Sequence, residues 1–217
     1  MPKHCLILAN GDLNPGPAVQ QALQDSGPVI AADGGAEFAA ALGLAVDLLI
    51  GDMDSVSPQT LARLQMAGTE VRRFPVDKNE TDLELALLAA LADGAESIRI
   101  LGGVGGRLDQ TLANIYLLNL PALAALDVRL VSGAQSLCLM RPGDYAIEGQ
   151  IGDTISLIPL GGPVEGISTQ GLRYPLQDET LAFGPARGVS NRISQLPARL
   201  QTRSGILLFI QTQGEAP

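Results

Sequence analysis

Leu48-Leu49-Ile50-Gly51-Asp52-Met53-Asp54-Ser55 joins a short apolar run to two carboxylates separated by one residue. A short apolar run bounded by turn residues has the pattern of a buried strand. An extended or gently turning backbone after it places Asp52 and Asp54 on one side. At ~5 Å and an effective dielectric of about 20, two such charges repel by ~3 kcal/mol. That cost is tolerable in water or around a cation. Gly51 allows a ligand to approach the backbone closely. The competing interpretation is a solvated Asp-rich turn in which Ser55 caps a helix.

Outward from this stretch the same event recurs. Cys5–Ala9 has a strand pattern and runs into Asn10-Gly11-Asp12. Val29–Ala32 runs into Asp33-Gly34-Gly35, and Ser97–Leu101 into Gly102-Gly103-Val104-Gly105-Gly106. Helical patterns alternate with these strands. One follows Asn14-Pro15-Gly16-Pro17 and ends near Asp25; a second covers Ala36–Leu42. A third opens at Ser57-Pro58, with proline at a tolerated first-turn position, and runs to about Ala67. A fourth follows the capping box Thr81-x-x-Glu84 and stops at Asp93-Gly94. A fifth spans roughly Gln110–Leu118. Glu70–Phe74 and Asp127–Val131 are further strands. Such alternation predicts a mainly parallel sheet with both faces covered. Ligands on such sheets bind beyond the carboxyl ends of the strands. All four polar clusters follow predicted strand ends, which favours a metal site over scattered acidic turns.

After Ser132 the pattern changes. Leu137–Met140, Tyr145–Glu148, Thr154–Pro159, Val164–Thr169, Arg199–Thr202 and Ile206–Gln211 are short runs punctuated by Gly and Pro. They predict a small antiparallel sandwich or barrel. The expected organisation is an α/β domain over 1–133, followed by a β-sandwich over 134–217.

Composition narrows the chemistry. The chain has 217 residues, with Lys+Arg 14 against Asp+Glu 23 and a formal net charge of −9. This argues against nucleic acid, whose binding needs a basic surface. No apolar run approaches membrane-spanning length, and the N-terminus shows no signal peptide. Cys5 and Cys138 lie in strand-like runs and fit reduced core thiols in a cytoplasmic protein. His4 is the only histidine, so a His-rich zinc site and a His-based triad are disfavoured. Oxygen-only ligands favour magnesium.

Two further stretches carry chemistry. In Asp77-Lys78-Asn79-Glu80-Thr81-Asp82, Asp82 opens a helix whose dipole favours a carboxylate. Lys78 suits a phosphate, and Asp82 suits a metal or a cationic substrate. Gly102-Gly103-Val104-Gly105-Gly106-Arg107 lies between strand and helix, where backbone N–H groups hold anions. It matches neither a Walker A motif nor a dinucleotide fingerprint. Arg107 adds a guanidinium of phosphate-binding geometry, and Asp109 either bonds a sugar hydroxyl or orients Arg107. Together these groups suit metal-assisted transfer of a phosphate-containing group.

Ala32-Asp33-Gly34-Gly35-Ala36, Gly51-Asp52-Met53-Asp54-Ser55, Lys78-Asn79-Glu80-Thr81-Asp82, Gly105-Gly106-Arg107-Leu108-Asp109-Gln110 and Gly188-Val189-Ser190-Asn191 occur in this order. In them the chain resembles the thiamine pyrophosphokinase family along nearly its whole length. The resemblance implies pyrophosphoryl transfer from ATP to the thiamine hydroxyl, giving AMP and thiamine diphosphate. It also implies Mg2+, an N-terminal nucleotide-binding domain, a C-terminal β-sandwich and a homodimer with thiamine in a cleft between subunits.

Carried over by position, Asp52, Asp54 and Asp82 resemble metal ligands, with Asp33 close by. Asp54 or Asp82 accepts the hydroxyl proton. Asn10, Asp33, Gly34, Lys78, Thr81, Gly102, Gly103, Gly106, Arg107 and Asp109 fall on the ATP side. Asp82, Ser190 and Asn191 fall on the thiamine side. Asn79 stands where the family often has an acid. The chain has no Trp, so aromatic stacking by the residue after the Ser-Asn pair is missing, and Ile193 offers apolar packing in that stretch. Two rivals share the fold: a nucleotide- or thiamine-binding sensor without turnover, and a metal-dependent phosphohydrolase.

Overall fold

Side-chain alternation along the first strands sets the architecture. The computed structural model describes residues 3–25 and 27–214. The chain divides into two compact units, 1–133 and 134–217. In the first, β1 (His4–Leu8), β2 (Val29–Ala32), β3 (Leu48–Gly51), β4 (Glu70–Arg73), β5 (Ser97–Leu101) and β6 (Asp127–Ser132) form a sheet in the order β6-β5-β1-β2-β3-β4. Every pairing among them is parallel. The connections are α1 (Pro17–Gln24), α2 (Gly35–Leu42), α3 (Pro58–Met66), α4 (Asp82–Ala92) and α5 (Leu108–Leu117), with a short 3-10 turn at Pro121–Leu123.

Leu6, Leu8, Val29, Ala31 and Leu49 share one core with Ala18, Val19 and Ala22 of α1, Ala36 and Ala39 of α2, and Leu64 of α3. The intervening Ile7, Ile30 and Ile50 are equally buried and point to the other face. There α4 lies against β1, β2 and β3. Strands buried on both faces read as continuous apolar runs, as these do. The strand order turns back between β1 and β5, so the loops after these two strands form the crevice that binds ligands in open α/β sheets.

The second unit holds β7 (Gln135–Met140), β8 (Gly143–Ile147), β9 (Thr154–Pro159), β10 (Val164–Gln170), β11 (Glu179–Leu181), β12 (Asn191–Arg192), β13 (Ala198–Thr202) and β14 (Leu207–Thr212). Its pairings are antiparallel, in the orders β12-β9-β14-β7 and β11-β10-β13-β8. Cys138, Ile155, Leu157, Ile167, Leu200, Leu207 and Phe209 belong to its apolar core.

The fold class is the expected one, a parallel α/β unit followed by antiparallel strands. Several details differ. α5 starts at Leu108 rather than Gln110, so Asp109 lies in its first turn. β11 and β12 were not anticipated, being only three and two residues long. As expected, Ser57 caps α3, accepting the Thr60 N–H at 3.2 Å, and the competing interpretation of Ser55 as the cap falls. The backbone between Asp52 and Asp54 is not extended, because Met53 is left-handed (φ 71). Its side chain is buried in the core, and this anchors the turn. Among the described residues no helix is long and apolar enough to cross a membrane.

Candidate active site

Two strand ends and one helix start deliver the acidic residues. Asp33 follows β2, Asp52 follows β3, and Asp82 is the first residue of α4. One carboxylate oxygen from each lies within 4.8 Å of the others. Asp33 reaches this point through a left-handed backbone (φ 46), a conformation that Asp tolerates better than most residues. Its Oδ1 is buried with no hydrogen-bond partner among the described residues. A Cβ on Gly51 would lie 3.0 Å from both Asp33 Cβ and Asp82 Oδ1, so glycine keeps the space between the carboxylates open.

Lys78 Nζ sits 3.0 Å from Asp82 Oδ1 and 3.7 Å from Asp52 Oδ2. The contact to Asp82 is an ion pair without a well-directed hydrogen bond, since that oxygen has no hydrogen-bond partner. Burial opposes the Lys78 ammonium, but Asp82 and Asp52 outweigh it and raise its pKa. Burial is also the largest influence on Asp82. With Asp52 and Asp33 close by, it raises the Asp82 pKa despite the ion pair. One ammonium against three carboxylates leaves two formal negative charges, the charge of one divalent cation. The all-oxygen donor set, the open space and the orphaned Asp33 oxygen fit a hard cation such as magnesium.

Asp54 stands apart. Its carboxylate is outside the close group, is exposed, and accepts the Ser55 hydroxyl at 2.7 Å. Its own N–H donates to Asp52 Oδ1 at 3.0 Å. It nevertheless lines the same cavity of about 590 Å³ as Asn10, Asp33, Asp52, Lys78, Thr81, Asp82 and the whole of Gly102–Arg107. That volume suits a small-molecule ligand. Thr81 caps α4, accepting the Glu84 N–H at 3.2 Å. The Asn10 side chain covers Gly34, where a Cβ would meet it at 2.4 Å.

The glycine-rich loop is stitched to the loop after β1. Gly11 N–H donates to the Gly102 carbonyl and Asp12 N–H to the Val104 carbonyl, each at 2.7 Å. A Cβ on Gly11 would stand 2.4 Å from the Gly102 oxygen, so this approach requires glycine. Gly106 has no such neighbour within 4 Å. Arg107 and Asp109 are exposed and paired, with Nη2–Oδ2 at 2.6 Å and Nε–Oδ1 at 3.3 Å. The hydrogen bond raises the Arg107 pKa and lowers that of Asp109. In this structure the Asp109 carboxylate is engaged with Arg107.

Ser190 and Asn191 lie in the second unit. Ser190 is exposed and left-handed (φ 60), and its N–H donates to Ser156 Oγ at 3.1 Å. The buried Asn191 amide is committed internally. Its Nδ2 donates to the Tyr174 carbonyl at 2.7 Å, and its Oδ1 accepts the N–H groups of Tyr174 and Arg192.

Some contributors went unnoticed in the sequence. Glu37 of α2 accepts the Ser57 N–H and the Thr60 hydroxyl, each at 2.8 Å, and so ties down the start of α3 just beyond Asp54. Thr111 and Asn114 of α5 reach back to the glycine-rich loop. Asn114 was detectable in principle, as a polar residue of low helix propensity in an apolar helix.

Comparisons with known proteins identify the family. Residues 19–129 match the family model "Thiamin pyrophosphokinase, catalytic domain", and residues 144–207 match "Thiamin pyrophosphokinase, vitamin B1 binding domain". The chain is 31% identical over 163 residues to thiamine pyrophosphokinase of Bacillus subtilis, covering 75% of this chain and 76% of that protein. It is 28% identical over 174 residues to thiamine pyrophosphokinase 1 of rice, covering 76% of this chain and 65% of the rice protein. The crystal structure of the Bacillus subtilis enzyme superimposes with a TM-score of 0.87 at 28% identity, over 97% of this chain and 99% of that one. That of the Enterococcus faecalis family protein gives 0.82 at 25% identity, over 98% and 100%. With both family models matched in order and in their own units, the chain belongs to the thiamine pyrophosphokinase family.

Proposed function

We propose that this thiamine pyrophosphokinase uses the cavity at the carboxyl end of the parallel sheet to move the pyrophosphoryl group of ATP onto the thiamine hydroxyl, releasing AMP. The observation that carries this is the three-carboxylate group beside a glycine-rich anion loop in one cavity. Asp33, Asp52 and Asp82 are the residues that would hold magnesium, which when bound neutralises phosphate oxygens and favours displacement at phosphorus. Lys78 and Arg107 bring positive charge to the phosphates, with Asp109 fixing the guanidinium. The amides of Gly103, Val104 and Gly106 bind phosphate oxygens. Asn10 lines the cavity beside the nucleotide, and Gly34 leaves room for its side chain. Asp54 accepts the hydroxyl proton, because it lines the cavity while standing outside the metal-holding group.

Thiamine is held by the second unit of a partner copy in a homodimer. Support comes from the vitamin B1-binding match over 144–207, which contains Ser190 and Asn191. Ser190 contacts thiamine directly, and Asn191 shapes the segment around it. The two buried free thiols, Cys5 and Cys138, suit a reducing cytoplasmic setting.

The test is end-point analysis of the purified chain with magnesium, ATP and thiamine. AMP and thiamine diphosphate in equal amounts are expected. ADP with thiamine monophosphate would place attack on the γ-phosphorus and overturn the assigned register. Inorganic phosphate from ATP without an alcohol acceptor would favour a hydrolase. Binding of both ligands without products would leave a sensor.

A further inference from the structure

All four carbonyls from Gly102 to Gly105 are clamped, alternately to two different walls. Those of Gly102 and Val104 accept the backbone N–H groups of Gly11 and Asp12. That of Gly103 accepts Asn114 Nδ2 at 2.8 Å, and that of Gly105 accepts the Thr111 hydroxyl at 3.3 Å. The Thr111 oxygen also accepts the Gly105 N–H at 3.2 Å. In a trans peptide the N–H points opposite to the C=O. Fixing each carbonyl therefore fixes the direction of the following amide. The N–H groups of Gly103, Val104 and Gly106 take no partner among the described residues.

Thr111 and Asn114 are three residues apart on α5 and so share a face. Asn114 is buried in a helix whose other members are mostly apolar. A buried amide costs stability unless it is hydrogen-bonded. Its side-chain hydrogen bond goes to the loop. Gly106 leaves room for a ligand. Nothing in the protein crowds its missing side chain, and its φ is not positive. The open space lies at a residue that lines the cavity.

We propose that Thr111 and Asn114 are positioning residues for ATP: from α5 they pin the Gly103 and Gly105 carbonyls, so that the neighbouring amides stay turned toward the phosphates. This role rests on the assignment of the loop to ATP. Neither side chain touches the reacting atoms.

The experiment compares Thr111→Val, Thr111→Ser and Asn114→Leu. ATP affinity is read by calorimetry with magnesium and no thiamine, and both KM values and kcat are read in turnover. Thr111→Val, which loses two hydrogen bonds, and Asn114→Leu, which loses one, are expected to weaken ATP binding by about three- to tenfold or more. The KM for thiamine should stay near its wild-type value. Thr111→Ser keeps the hydroxyl and is expected to restore most of the affinity. If Asn114→Leu does not fold, the Thr111 pair decides alone.

Unchanged ATP affinity in Thr111→Val overturns the proposal. So does an equal rise in both KM values, which would mean a general loosening. A wild-type chain that fails to bind ATP also overturns it. One that binds ATP without turning over sinks only the reaction assignment, and the calorimetry still judges the brace.

Discussion

Asp33 and Met53 both take left-handed backbone conformations at strand ends, and each turn does a separate task. The turn at Asp33 swings its carboxylate into the group with Asp52 and Asp82. The turn at Met53 separates Asp54 from that group while burying the methionine. Left-handed non-glycine residues cost ~1–3 kcal/mol and persist where the surroundings over-determine them. The two roles assigned to the acids divide accordingly. Asp52→Asn and Asp82→Asn should raise the magnesium concentration needed for half-maximal activity. Asp54→Asn should lower kcat by about 10²-fold or more, the scale of general base catalysis, with magnesium dependence unchanged. Magnesium titrations of all three variants decide it, and a shifted requirement in Asp54→Asn would return that residue to the metal group. Gly106→Ala is expected to melt within ~0.5 kcal/mol of wild type, as an uncrowded surface change, while its KM for ATP rises. A variant with unaltered KM for ATP would show that nothing binds in that space.

At the scale of elements, the Glu37 carboxylate couples α2 to the first turn of α3. The Ser57 backbone hydrogen bond is the main reason its pKa is lowered. A depressed acid contributes stability above its unfolded pKa and loses it as pH falls through the lower folded value. Glu37→Ala should therefore cost ~1–3 kcal/mol at neutral pH, the worth of bonds to a charged group, and the deficit should shrink in acid. Denaturant melts at pH 7 and below pH 4 measure both ends, and an equal deficit at the two would assign the loss to packing. The sequence made much of this level legible. Ser57-Pro58 and Thr81-x-x-Glu84 are local signals and form the expected caps. The buried strands announced themselves as apolar runs. β12 was illegible because two residues cannot display a period. The α5 start was missed because Arg107 provides no side-chain cap. That Asp33 joins the close carboxylate group with Asp52 and Asp82 was not legible, because its position depends on a backbone turn made against neighbouring strands. The reach of Glu37 and Thr111 is likewise tertiary and leaves no local trace.

For the whole molecule, a site shared between copies makes a mixing prediction. Asp82→Asn and a Ser190 variant, each impaired alone, should regain about a quarter of wild-type activity when unfolded together and refolded, since random pairing restores one intact site in half of the dimers. Activity no greater than the sum of the separate variants would put each site within one chain. Stability carries a second molecular signature. Burial pushes the Cys5 thiol from 9.0 up to about 12. Between those values the unfolded chain releases a proton that the folded chain retains, so stability falls as pH rises through that window. Melting wild type and Cys5→Ala between pH 8 and 10.5 tests this. The wild type should lose stability more steeply, and parallel curves would mean the thiol ionises in place. The two unbalanced negative charges beside Lys78 act at longer range as well. In a chain of formal net charge −9, they sort arriving molecules before contact. A cationic heterocycle is drawn in, a bare polyanion is turned away, and a nucleotide approaches freely only with its phosphates already shielded. Mobile ions damp both influences beyond ~8 Å at physiological ionic strength, so added salt slows the encounter with one substrate and hastens the encounter with the other.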